Sequence, residues 1–168
     1  MKRFFMHFLV RLLRLGCRRM SPLHAGQTRL PLTVLIPAYA GLGNFIMMTP
    51  LFRVLRETWS QAEIHLIAGN PWGAEFVLEG SGWVDQTWIL PEDASWLRKL
   101  IFFWRLRGRR IDVALMPFDA SPSFYWFGTL LAGIPVRVGH TFDILKKDMR
   151  WTRAVLTHEV PLRFRTHE

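Results

Sequence analysis

Cysteine is almost missing: Cys17 is the one thiol in 168 residues. A single thiol makes no internal disulfide and no multi-cysteine zinc site, so nothing points to an oxidising compartment. The six histidines lack metal-ligand spacing; His158 and His167 stand too far apart for a zinc-type pair and have no cysteine partners. No metal and no cofactor is expected. Neither G-x-G-x-x-G nor G-x-x-x-x-G-K-[ST] occurs, so classical dinucleotide or P-loop chemistry has little support. Internal repeats and low-complexity runs are also lacking. The first 30 residues contain no Asp or Glu.

That last absence organises the charge. Net charge is +9, of which Lys2, Arg3, Arg11, Arg14, Arg18, Arg19 and Arg29 supply +7. The remaining 138 residues hold 15 Lys and Arg against 13 Asp and Glu. The body is therefore nearly balanced, which argues against a nucleic-acid-binding domain with basic residues spread over a folded face. Half of the residues are apolar and 14% are aromatic, enough for one domain with a proper core.

The stretch "MKRFFMHFLVRLLRLGCRRM" has helical periodicity. At ~100° per residue, Arg3, Arg11, Arg14 and Arg18 share a narrow sector, while Phe4, Phe5, Phe8, Leu9, Leu12, Leu13 and Leu15 fill much of the rest. Such a helix suits a lipid interface rather than a span, because Arg11 and Arg14 interrupt it early. "FFMHFLV" is short for a signal peptide and "GCRRMSP" is a poor cleavage site. Residues 1–30 thus read as a basic amphipathic arm with membrane-surface contact through residues 2–19, joined by the linker "SPLHAGQTR" to a body at 31–168. A core-docked or unstructured basic extension is the alternative.

In the body, strand-like and helix-like segments alternate. "LTVLIPA" (32–38), "EIHLIAG" (63–69), "QTWILP" (86–91), "IDVALMP" (111–117) and "IPVRVGH" (134–140) read as strands. Between them lie "PLFRVLRETW", with Leu51, Val54, Leu55 and Thr58 on one face, and "PWGAEFVLEGS", opened by Pro71. "DASWLRKLIFFWRLRGRR" (93–110) follows, capped by Asp93 or Ser95, and then "SPSFYWFGTLLAG" (121–133), with Ser121 as N-cap, Pro122 at N1 and Gly133 as C-cap. The rhythm predicts an α/β fold: a Rossmann-like open parallel sheet with helices on both faces and right-handed crossovers. Ligands of such sheets bind outside the carboxyl ends of the strands. "AYAGLGN", "PFDASPS" and "GHTFD" should then share one rim.

On that rim, Gly41 and Gly43 permit positive φ and close backbone approach, and the following helix N-terminus offers free N–H groups. An anion or a sugar hydroxyl fits there; a purely structural turn is equally common. Thr49 and Pro50 either cap and open the main helix, or sit inside a helix begun near Asn44, where Pro50 must distort it. His65, mid-strand, reads as a satisfied buried or edge histidine. Arg137 and Lys146/Lys147 are candidates for phosphate contacts or ordinary solvated charge. Trp72, Trp83, Trp88 and Trp104 read as packing residues.

Several quoted pieces, in their order, resemble glycosyltransferase family 9, the ADP-heptose:lipopolysaccharide heptosyltransferases and their relatives. They are the apolar strand, G-L-G-N, T-P-L with its helix, "AEIHLIAG", the "VD" before the third strand, "RRIDVALMPFDAS", "LLAGIPVRVGH" and "LTHEVPL". The resemblance covers roughly 33–168. It implies a GT-B architecture, of which this chain is the N-terminal, acceptor-side half, with the C-terminal donor-binding domain absent and the fragment inactive alone. It implies inverting transfer from a nucleotide-sugar donor to a lipopolysaccharide-core or other glycan acceptor, without a metal, at the cytoplasmic face of a bacterial inner membrane. The family's Asp after G-x-G, its general base, is Asn44 here. A carboxamide takes up no proton near neutral pH, so Asn44 is limited to orienting the acceptor or capping the helix. Asp119 and His140 are the candidate substitutes, although Asp119 also suits a helix cap and His140 a hydrogen-bonded loop position. Gly41, Gly43, Thr49, Ser121 and Arg137 are the candidate substrate contacts. A non-enzymatic, membrane-attached acceptor- or partner-binding module is the competing expectation. Nucleic-acid binding rests on the arm alone and is the weakest.

Overall fold

Short apolar-rich runs become strands, and amphipathic or apolar segments between them become helices. The computed structural model describes residues 31–38, 42–69, 71–91, 93–117, 123–142 and 154–162. The basic arm, Gly41, Asp119, Ser121, Lys146 and Lys147 lie outside the described residues. Thr33–Ala38 (β1) is buried at every position, and Glu63–Ala68 (β2) at every position after its first. A strand so enclosed must be covered on both faces. Gln86–Ile89 (β3), Val113–Met116 (β4) and Val136–Phe142 (β5) complete the five expected strands. His158–Leu162 (β6) is a sixth, not anticipated, because its sequence is polar and contains Pro161, which only an edge strand tolerates.

The sheet order is β3-β2-β1-β4-β5-β6 and every pair is parallel. This is the doubly wound order, with its reversal between β1 and β4. Four α-helices cover the two faces: Leu42–Thr58 (α1), Pro71–Leu78 (α2), Trp96–Leu106 (α3) and Ser123–Leu131 (α4). Alternation along β1 sends Val34 and Ile36 to a core with Phe45, Met48, Phe52 and Leu55 of α1 and Ala74 of α2. Leu35 goes the other way, to Phe103 and Leu106 of α3 and Tyr125 of α4. Phe45, Phe52 and Phe103 are fully buried, each worth roughly 1.5–3 kcal/mol of transfer free energy.

The amino ends of the strands are pinned by a repeated device. Asp85 N–H donates to Ile64 O at 2.9 Å, while its Oδ2 accepts from Ile64 N–H at 2.6 Å. Asp112 does the same to Thr33, at 3.0 and 2.9 Å. Thr157 repeats the pattern on Arg137, its N–H donating at 2.9 Å and its hydroxyl accepting at 2.8 Å. Each residue clamps the start of the neighbouring strand and fixes its register. Arg56 of α1 joins the first clamp, donating to Asp85 Oδ2 at 2.7 Å and to Ala62 O at 2.8 Å. Burial pushes the Asp85 carboxyl up, but the Ile64 N–H and the Arg56 guanidinium, with a smaller contribution from His65, hold it below the usual carboxylate range.

The helix ends follow local chemistry. Ser95 caps α3, its Oγ accepting from Arg98 N–H. Gly133, with φ +72°, ends α4 in a Schellman arrangement: its N–H donates to Leu130 O and that of Ile134 to Thr129 O. The buried face of α1 differs from expectation: Phe45, Met48, Phe52 and Leu55 point inward, whereas Val54 and Thr58 are exposed. The helix starts earlier, at Leu42, and its first aromatic residues set the inward stripe. Trp104, expected in packing, stands on the solvent face of α3.

Where α3 and α4 cross, a Cβ on Gly128 would lie 2.5 Å from the ring of buried Phe103. Alanine's helix propensity favours substitution by about 1 kcal/mol, but overpacking of this kind costs about 1–3 kcal/mol. Gly128→Ala is therefore expected to lower the denaturation midpoint despite the propensity gain, read by urea unfolding. Because the folded Asp85 carboxyl is held low, its stabilisation is complete above the unfolded value, about 4, and is lost as pH falls through the lower folded value. Asp85→Asn should thus narrow the stability gap to the wild type progressively on acidification below about pH 5, measured as Tm against pH.

Candidate functional site

The doubly wound order places a crevice where the strand order reverses, outside the carboxyl ends of β1 and β4. Leu32 O accepts from Glu63 of β2, and Thr33 bonds to Asp112 beside β4, so odd-numbered residues of β1 face β4. Pro37 thus turns its ring nitrogen, which carries no hydrogen, toward β4. The β1–β2 register runs through to Ala38, but β1 pairs with β4 only at Val34 and Leu35. The ladder therefore ends at Leu35, since Pro37 offers β4 no N–H.

Helix α1 opens three residues beyond β1, with Leu42, Gly43 and Asn44 exposed in its first turn. That turn holds no acidic residue to neutralise the partial positive charge of the helix start, which favours an anion or hydroxyl there. Gly43 is helical and has no positive φ; a Cβ there would meet nothing within 4 Å. Its contribution is open space beside the backbone, which differs from the expected strained turn. The Asn44 side chain is exposed to solvent.

The helix that begins here carries Pro50 in its interior, the second of the two expected alternatives. Proline removes the N–H that would pair with Ile46 O. Thr49 Oγ1 donates to that carbonyl at 2.8 Å and replaces the missing bond. Thr49 is therefore not an N-cap; it keeps the α1 N-terminus helical past a proline.

His140 lies late in β5, one residue beyond the Met116↔Gly139 pair and opposite Val160. Its parity is that of Val136 and Val138, which pack on the α1 side of the sheet. Its Nδ1 is enclosed and has no hydrogen-bond partner among the described residues. The α1 N-terminus and His140 thus belong to the same edge and the same side of the sheet. The loop that carries Asp119 and Ser121 leaves β4 between them, but these two residues lie outside the described ones.

Arg137 does not join them. It is 3% exposed, and its Nε donates to Val155 O at 2.6 Å and its Nη1 to Ile134 O. It stands nearer the amino end of β5, where Thr157 clamps its backbone. Those bonds commit the guanidinium to the fold, so the expectation of a substrate contact is not carried forward. His65 is buried against Trp88, ring centroids 4.7 Å apart. Glu63 Oε1 lies 2.7 Å from its Nε2 as an ion-pair contact, but neither ring nitrogen has a hydrogen-bond partner among the described residues. The expectation of a satisfied histidine fails there. No cluster of three metal-ligating side chains occurs among the described residues, and no helix among them is long and apolar enough to cross a membrane.

Fold and rim together define a doubly wound α/β domain with an open carboxyl edge. Among solved structures, the chain is similar to the crystal structure of the glycosyl transferase family 9 from Veillonella parvula DSM 2008, with a TM-score of 0.60 and 13% identity. The match covers 82% of this chain and 38% of that one, so this chain spans well under half of its length. No protein-family model and no curated protein matches the sequence.

The Thr49 hydroxyl yields a test. Thr49→Val leaves the Ile46 carbonyl unpaired and is expected to lower stability by about 1 kcal/mol, with faster amide exchange across residues 43–50. Thr49→Ser should retain wild-type exchange.

Proposed function

We propose that this chain is the acceptor-side lobe of a glycosyltransferase, which seats a glycan hydroxyl at the open rim for attack on a nucleotide-activated sugar. One observation carries the reading: the reversal of strand order at β1/β4, beside the acid-free start of α1, in a fold shared with a glycosyl transferase family 9 protein. The acceptor oxygen attacks the anomeric carbon, the bond to the leaving phosphate breaks, and the hydroxyl proton passes to a base. A carboxylate or imidazole serves as that base, and a carboxamide does not. Asp119 and His140 are the residues assigned to it; Asn44 orients the acceptor. The donor belongs to a second lobe of the kind the family resemblance implies. A lipopolysaccharide-type acceptor and a peripheral position on the cytoplasmic side of the inner membrane, with residues 2–19 on the bilayer, belong to the same proposal.

Asn44 also supports a second reading. A chain that holds a carboxamide at the family's acidic position would suit a non-enzymatic module that binds the same acceptor.

Titration with a core oligosaccharide, read by amide chemical shifts, separates these readings from a failed one. Both expect shifts at Gly43, Asn44 and Gly139–Thr141; shifts confined to other edges of the sheet would overturn both. In a transfer assay with nucleotide-sugar, the enzymatic reading expects His140→Ala or Asp119→Asn to lower kcat by about 10²–10⁴-fold. Acceptor binding without transfer, in the presence of a donor-binding lobe, would leave the module.

A further inference from the structure

Helix α3 exposes far more apolar surface than a solvent-facing helix carries. Leu97 is 61% exposed, Ile101 44% and Trp104 57%, at i, i+4 and i+7, and Trp96 is 65% exposed one residue before them. At ~100° per residue the first three form one stripe. Arg98 and Arg105 border the stripe on one side, and both are exposed. On the other, the Arg107 guanidinium stacks over the Trp104 ring, 4.7 Å from its centroid. Arg109 and Arg110 extend the positive charge, and no acidic residue occurs from Ala94 to Ile111. A shallow apolar groove lined by Leu100, Ile101, Trp104 and Leu131 continues the stripe toward α4.

We propose that this face docks on an anionic bilayer surface, with Leu97, Ile101 and Trp104 at the acyl–headgroup boundary and Arg98, Arg105 and Arg107 on lipid phosphates. Charge decides among occupants. The arm at residues 1–30 carries +7 and would be repelled by a face that is itself uniformly basic. A second copy packed face to face would set arginines against arginines. A nucleic acid would use the cations, but Leu97 and Ile101 offer it neither phosphate contact nor a stacking surface. An interfacial helix needs all the parts present: an apolar stripe, a tryptophan at each end of it and flanking cations. The inference stands on α3 alone and does not rest on the function proposed for the rim. It adds a second contact, on the folded body, to the one assigned to the arm.

The two contacts are separable because residues 1–30 contain no tryptophan. The full-length chain is mixed with phosphatidylglycerol vesicles bearing brominated acyl chains, and tryptophan fluorescence and flotation are read together. Flotation with a blue shift and quenching is expected, with neither on phosphatidylcholine. Trp96→Phe with Trp104→Phe should remove most of the quenching while flotation persists. Arg98→Gln, Arg105→Gln and Arg107→Gln together should weaken vesicle binding about 100-fold, with an unchanged thermal melt showing that the fold is intact. Flotation without quenching would overturn the proposal, since the arm alone would then hold the chain. Quenching that survives the double tryptophan change, or binding indifferent to the three arginines, would also overturn it. So would a lipid-free dimer abolished by Ile101→Ser, or duplex DNA binding that needs the arginines but not Leu97 and Ile101.

Discussion

A parallel strand enclosed on both faces cannot leave its first N–H groups to water, and this protein meets that constraint with side chains. Asp85, Asp112 and Thr157 each place an oxygen on the leading N–H of the neighbouring strand and their own N–H on its carbonyl. These bonds satisfy buried backbone groups and set register at once. Register matters here because a slip of one residue would turn Val34 and Ile36 from the α1 core into the α3 core, where Leu35 belongs. Arg56 ties α1 to the same point, so the covering helix and the strand it covers are aligned by one carboxylate.

At the opposite edge, Pro37 removes a donor on the β4 side, and the ladder between β1 and β4 ends two residues earlier. The crevice lies where the winding direction reverses. Helix α1 enters beside it with no acidic residue in its first turn, and a second proline, Pro50, is tolerated there because Thr49 supplies the bond it removes. The clamps at one edge and the Thr49 bond at the other answer the same rule, that polar backbone must find a partner.

The two helical layers differ in what they turn outward. On one side α1 shows Leu42, Ile46 and Met47 beside the rim, and on the other α3 shows tryptophans framed by arginine. Arg137 belongs to neither face. Its guanidinium is buried and satisfies the Val155 and Ile134 carbonyls.

The α/β class was readable because continuous apolar runs and amphipathic segments differ in period, and Ser95 and Gly133 marked helix ends through bonds that need only neighbours in the chain. That the carboxyl ends of β1, β4 and β5 share one edge follows once parallel strands are granted. Other features had no local signal. Strand β6 is polar and exists because β5 offers it an edge. The clamps of Asp85 and Asp112, the burial of Arg137 and the solvent position of Trp104 depend on which segment arrives alongside. Periodicity and capping act within a few residues and are written in the amino-acid order. Register, burial of a charge and the opening of a crevice arise between residues distant along the chain, and only the assembled sheet decides them.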